Sequence, residues 1–203
     1  MNDNILKTIG GFSAENVPAE RKICLQPLIA YLNEKVDKGE RIRLNFICTH
    51  NSRRSHLSQV WAQTMAYHFG LKDLFCYSGG TEATAMFPKV AETLASQGFE
   101  ILQLAEGSNP VYAVKYALNE PPIMCFSKVY DNRFNPASGF GAIMTCSNAD
   151  EGCPLVMGAE ARFSIKYEDP KISDGTPEQT AVYRQRSLEI AREMFYVFSQ
   201  IKK

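Results

Sequence analysis

Two rhythms of apolar and polar positions alternate along this chain. Residues 18–37 carry apolar side chains at 23, 25, 28, 29, 32 and 36. That spacing is mostly helical, with Pro27 as a kink or break and Lys38-Gly39 as the stop. Residues 42–48 form a compact apolar run and read as a first strand. Residues 55–69 return to helical spacing, with Leu57, Val60, Trp61, Met65 and Phe69 on the buried side and Gly70 as terminator. A short second strand, 74–78, precedes Gly79-Gly80. Pro88 opens a helix to about Gln97 that Gly98 caps. Residues 99–103 read as a short extended segment. Further strands are predicted at 122–126, 141–146 and 161–167. A last helix, 177–201, has Thr176 as N-cap and Pro177 in its first turn. Residues 105–120 are the least legible, and VYAVKYAL reads as a helical insertion.

Strands alternating with helices predict an α/β fold with a mostly parallel, right-handed, doubly wound sheet. Such sheets bind ligands beyond the carboxyl ends of their strands. Cys48, Ser78-Gly79 and Cys146 all fall at predicted strand ends, so one site is expected to gather them. No repeat or low-complexity tract divides the chain. Residues 1–40 read as an N-terminal helical extension and 41–203 as the main domain.

Composition narrows the function classes. The 203 residues hold 22 Lys plus Arg and 22 Asp plus Glu, a net charge of zero. That balance argues against a general nucleic-acid or membrane-surface role and leaves room for a local basic pocket. No run approaches the ~18 apolar residues of a membrane span, and MNDNILKTIGGFSAENVP has no signal-type apolar core. The expectation is a soluble cytoplasmic protein. In a reducing cytosol the six cysteines are not a disulfide framework. Cys24, Cys76 and Cys125 sit in apolar patterns and read as small buried core residues.

The most informative segment is RLNFICTHNSRRS, residues 43–55. A cysteine ends a buried strand, five residues follow, and Arg54-Ser55 open a helix. Loop N–H groups and the positive end of the helix dipole favour a bound tetrahedral oxyanion. The same field favours a reactive thiolate at Cys48. Arg54 offers a planar donor fork, and Ser55 can hydrogen-bond the sulfur. The bland alternative is a buried strand-end cysteine beside an unrelated arginine.

CTHNSRRS resembles the phosphate-binding loop of the low-molecular-weight protein tyrosine phosphatase superfamily, nearest to its thioredoxin-coupled arsenate reductases. Asn51 stands at the loop-shaping position. Two further segments carry the likeness. TCSNADEGCP, 145–154, is similar to the reductase segment whose two cysteines flank a polar acidic stretch. Glu168-Asp169-Pro170 is similar to the Asp-Pro that supplies the general acid, and Gly79-Gly80-Thr81-Glu82 matches the turn after the second strand more loosely. The likeness runs from about Arg41 to the C-terminus. It implies a flavodoxin-like sheet of low-molecular-weight phosphatase type. It also implies oxyanion binding by Thr49, His50, Asn51, Ser52, Arg53, Arg54 and Ser55, with Cys48 as nucleophile, Arg54 stabilising charge and Asp169 as acid. Cys146 and Cys153 are implied to continue a disulfide relay that a thioredoxin-type dithiol reduces. No bound cofactor is implied.

The loop departs from the family pattern twice. His50 stands where glycine is usual, and Arg53 where a second cysteine is usual. His50 either touches the anion or serves the loop structurally. Arg53 either adds a guanidinium to the pocket or pairs with an acid elsewhere. His56 and His68 read as surface or packing residues. Tyr130, Asn132, Arg133 and Asn135 form a polar cluster, either a substrate-side or a solvated loop. A zinc site at Cys146 and Cys153 fits poorly, because the thiols are not two to four residues apart and no second pair matches. Three functions follow: an arsenate reductase, a phosphatase acting on phosphotyrosine or a small phosphoester with Cys48, Arg54 and Asp169 alone, and a non-catalytic oxyanion-binding module.

Overall fold

The computed structural model describes residues 1–153 and 155–202. Its elements in chain order are α1 (Asp3–Ile9), α2 (Ala19–Asp37), β1 (Ile42–Cys48), α3 (Arg54–His68), β2 (Leu74–Gly80), α4 (Pro88–Ser96), β3 (Glu100–Ala105), β4 (Val111–Lys115), β5 (Ile123–Cys125), β6 (Phe140–Met144), α5 (Ser147–Gly152), β7 (Ala159–Ser164) and α6 (Gln179–Ser199). The main sheet is parallel, in the order β2-β1-β6-β7. β1 is central, and every residue in it except Arg43 is buried. That explains its near-continuous apolar run, since a strand covered on both faces has no solvated side. Cys48 pairs in register with Gly80. The chain leaves β6 at Thr145-Cys146, so the three strand ends share one edge of the sheet.

The two faces of this sheet are unequal. One carries the main core, in which Leu44, Phe46 and Ile143 meet Leu57, Trp61, Tyr183 and Phe198 of α3 and α6. Ile5, Leu25, Leu28 and Leu32 of α1 and α2 join that core. The other face carries a small cluster in which Ile47, Ala142 and Met144 meet Cys146, Ala149 and Val156, joined by Cys48 at the end of β1. Adjacent residues such as Phe46 and Ile47 enter different clusters because strand side chains alternate.

Several local expectations are corrected. Residues 111–115 are strand β4, in a second, antiparallel sheet β3-β4-β5, and not a helical insertion. Val111, Tyr112 and Val114 are β-branched or aromatic, types that favour a pleated surface. The strand at 122–126 belongs to this second sheet, where β5 pairs antiparallel with β4. Pro27 lies inside an unbroken α2. It removes the hydrogen bond to the carbonyl of Ile23, a residue that faces solvent. α6 starts at Gln179 with Glu178 at its cap, and the Thr176 hydroxyl instead donates to the Ser173 carbonyl. Cys76 and Cys125 are buried, whereas Cys24 is half-buried and donates to the Ser164 carbonyl.

Candidate active site

The loop between β1 and α3 is held from outside by its carbonyls. The Cys48 and Thr49 carbonyls accept from the N–H groups of Thr81 and Glu82, and that of Ser52 from Phe87. The His50 carbonyl accepts from the Ser127 and Thr84 hydroxyls at 2.9 and 3.2 Å. In a trans peptide the next N–H points opposite to the carbonyl. The N–H groups of Thr49, His50, Asn51 and Arg53 therefore face the other way, into the bowl. Among the described residues, none of the N–H groups of residues 49–53 donates to a protein acceptor. Such a set of orphan donors at a helix N-terminus is an anion cradle.

The glycines after β2 make this closeness possible. A Cβ on Gly80 would stand 2.3 Å from the Glu82 carbonyl oxygen and 2.7 Å from the Asn51 nitrogen. Asn51 takes the loop's one left-handed residue, φ 43°, a conformation asparagine tolerates. His50 does not need it. The Asn51 side chain accepts from the Lys128 N–H at 3.0 Å and donates to Ser55 Oγ at 2.8 Å. Ser55 Oγ lies 3.1 Å from Cys48 Sγ. Accepting from Asn51, this hydroxyl keeps its proton available to the sulfur.

The two arginines diverge. Arg54 Nη2 meets Asp169 Oδ2 at 2.5 Å and its Nη1 donates to the Tyr167 carbonyl at 3.1 Å. Its Nε is buried without a partner, a donor left for an anion. Arg53 turns away. It donates to Asp174 Oδ2 and to the Tyr183 hydroxyl, both at 2.6 Å, and its guanidinium lies 4.1 Å from the centre of the Phe87 ring. Its side chain pairs with an acid elsewhere, leaving only its N–H to the bowl. The His50 ring is half exposed and approaches Glu82 at 3.6 Å. Ser52 offers its buried backbone.

Cys146 is buried at the N-cap of α5, where its sulfur accepts from Ala149 N–H at 3.4 Å. Thr49 Oγ1 stands 3.5 Å from the same sulfur. Cys153, half-buried, caps the other end of α5 and packs on the same cluster as Cys48 and Cys146. The segment between the two thiols is thus a short helix. A cavity of about 420 Å³ opens beside it, lined by Arg54, Cys146, Ser147, Asn148, Lys166, Tyr167, Glu168 and Asp169.

The polar cluster near 130 is mostly structural. Asn135 Nδ2 donates to the Ser78 and Tyr130 carbonyls at 3.0 Å, tying this segment to the end of β2. His56 is fully buried, with Nδ1 3.3 Å from Ser78 Oγ, and His68 is partly buried against Phe69 and Phe195. Three links carry no signal in the sequence. Arg21 of α2 clasps Glu193 at 2.7 and 2.8 Å. Glu193 also accepts from the Tyr167 hydroxyl at 2.8 Å, and the Tyr167 carbonyl holds Arg54. The N-terminal extension therefore braces the site.

The fold and site define an α/β protein with a cysteine at the base of an oxyanion cradle. Residues 43–115 match the family described as low molecular weight phosphotyrosine protein phosphatase. The arsenate reductase of Bacillus licheniformis is 25% identical over 141 residues, 70% of this chain and 83% of the relative. Arsenate reductase 2 of Staphylococcus epidermidis is 28% identical over 126 residues, 62% of this chain and 76% of the relative. Among solved structures, a low molecular weight phosphotyrosine phosphatase of Vibrio cholerae superposes with TM-score 0.53 at 11% identity, covering 78% of this chain and 95% of that one. Over residues 43–115 the chain is similar to the low molecular weight phosphotyrosine protein phosphatase family, and the curated relatives that it matches are arsenate reductases. Among the described residues no helix is long and apolar enough to cross a membrane.

Proposed function

We propose that this protein reduces arsenate through three of its thiols. The observation that carries this reading is the packing of Cys48, Cys146 and Cys153 into one small cluster, with Thr49 joining the cradle to Cys146. A phosphatase needs a nucleophile, an arginine and an acid, and has no use for the other two thiols.

In the proposed sequence arsenate displaces Asp169 from Arg54 and sits on the N–H groups of residues 49–55. The Cys48 thiolate forms a bond to arsenic, and one arsenate oxygen leaves as water, with Asp169 supplying a proton. Cys146 then attacks the Cys48 sulfur. The S–As electron pair stays on arsenic, arsenic(V) becomes arsenic(III), and arsenite leaves behind a Cys48–Cys146 disulfide. Cys153 attacks Cys146 and releases the Cys48 thiolate. A thioredoxin-type dithiol takes up the Cys146–Cys153 disulfide and is itself oxidised, which suits a reducing cytosol.

The second reading is a phosphatase using Cys48, Arg54 and Asp169 alone, favoured by the completeness of that trio. One paired assay separates the two. Under the reductase reading Cys146→Ser stops multiple-turnover arsenate reduction and spares any hydrolysis of a chromogenic phosphoester. Wild-type arsenate reduction by Cys146→Ser overturns the relay.

A further inference from the structure

Cys146 and Cys153 lie at opposite ends of α5. Seven residues of helix span roughly 10 Å, whereas a disulfide needs Cα atoms within about 7 Å. Seven residues are also close to two full turns, so both thiols lie on one face. The bond forms only if α5 unwinds. What holds α5 then governs when the relay can pass from its first disulfide to its second.

Little holds it. Ala149 is buried, and among the described residues Ser147, Asn148 and Glu151 make no side-chain hydrogen bond or ion pair. Asp150 is the exception. Its Oδ2 lies 2.8 Å from both Lys166 Nζ and Ser164 Oγ, and its Oδ1 lies 2.5 Å from Arg162 Nη2. The same Arg162 nitrogen donates to the Asp150 carbonyl at 2.5 Å. Burial raises the Asp150 carboxyl, but Lys166, Ser164 and Arg162 outweigh it and hold it below the usual carboxylate range. All three partners belong to β7 or the residues just after it, at the edge of the main sheet.

We propose that Asp150 is a positioning residue that latches α5 to β7, holding Cys146 against the cradle for the first exchange and yielding for the second. The inference rests on the reductase reading. Released, α5 has a buried alanine and a thiol cap to keep it wound, far less than the ~12 residues an isolated helix needs. The latch therefore acts in opposite directions on two successive steps, which a merely stabilising contact does not do.

The test has two arms. In the first, reduced wild type, Asp150→Asn and Lys166→Gln are alkylated under native conditions, and each thiol is followed by mass spectrometry. Asp150→Asn is expected to speed Cys146 labelling at least tenfold while leaving buried Cys76 and Cys125 unchanged, and Lys166→Gln to act more weakly. Unchanged Cys146 labelling, or equal acceleration at Cys76 and Cys125, overturns the latch. If Asp150→Asn does not fold, Lys166→Gln, changed outside the helix, decides the question. In the second arm one equivalent of arsenate is added. Asp150→Asn is expected to form Cys48–Cys146 more slowly in a Cys153→Ser background and to resolve it faster when Cys153 is present. Both rates moving the same way overturns the latch. Faster Cys146 labelling with no arsenate-dependent disulfide in any protein leaves the latch standing and rejects the reductase reading.

Discussion

The two faces of the parallel sheet differ in what they can give up. The α3/α6 face holds Trp61, Tyr183, Phe46 and Phe198, each nearly or fully removed from solvent. Trp61 Nε1 also donates there to Ser187 Oγ at 2.9 Å. The opposite face holds a handful of smaller side chains under a six-residue helix, and its thiols are part of the packing. The three thiols pack with the smaller cluster. A relay that unwinds one of its own helices needs that arrangement, because sub-global opening draws on the least stable elements.

The largest effects test this division directly. Cys48→Ser is expected to lower arsenate turnover by at least ~10⁴-fold, because a hydroxyl is a poor nucleophile without a dedicated base. Its urea midpoint should move by no more than ~1 kcal/mol equivalent, and arsenate should still raise the melting temperature. Trp61→Ala, on the other face, should cost about 3–5 kcal/mol. A Cys48→Ser protein that unfolds, or a Trp61→Ala protein of wild-type stability, breaks the comparison.

The second effect belongs to the seam between the faces, beneath the cradle. Burial pushes the His56 imidazole down to about 3, with the Lys128 ammonium adding to the shift. The unfolded chain takes up a proton at His56 below pH ~6.5, whereas the folded chain stays neutral until about pH 3. The unfolded state therefore binds more protons across that window, and stability falls as pH falls. The slope approaches ~1.4 kcal/mol per pH unit, to a ceiling of roughly 4–5 kcal/mol. Urea unfolding of wild type and His56→Leu at pH 7, 6 and 5 checks it. The difference between the two should shift in favour of the variant on acidification, and parallel acid profiles would contradict a buried neutral imidazole.

How much of this was legible in the sequence follows the range of the interactions involved. The cradle was readable because strand, loop and helix are contiguous, so residues 43–55 state their own geometry. Strands β1 and β6 announced themselves through burial on both faces. The second sheet was legible only in part: residues 99–103 and 122–126 read as extended, but VYAVKYAL carries apolar positions compatible with either period. The helical state of SNADEG was hidden for a related reason. Its one charged anchor is Asp150 meeting Arg162, Ser164 and Lys166, contacts 12–16 residues away that no local pattern encodes. For Arg53 the sequence left pocket and distant acid open, and only Asp174 and Tyr183 show where its side chain goes.

Lys128 provides the smallest and sharpest test of the seam. It is 2% exposed, and among the described residues no carboxylate pairs with it. Its ammonium donates to the Phe126 carbonyl at 3.3 Å and lies 4.4 and 5.5 Å from the Phe126 and Phe134 ring centres. Each such contact returns ~0.5–2 kcal/mol, against the several kcal/mol that burying an ion costs. Burial accordingly pulls the amine down to about 8, with Cys125 opposing. The folded chain gives up this proton before the unfolded chain, whose lysines titrate near 10.4, so wild type gains stability as pH rises from about 8 towards 10.4. Lys128→Met removes the buried charge and keeps the main-chain N–H that holds Asn51. It should raise stability by ~1–2 kcal/mol at pH 7, and the gain should shrink steadily above pH 8. A Lys128→Met protein less stable than wild type at pH 7, or one whose advantage is unchanged at pH 9.5, would mean that the ammonium is stabilising where it lies and that the seam belongs energetically with the core.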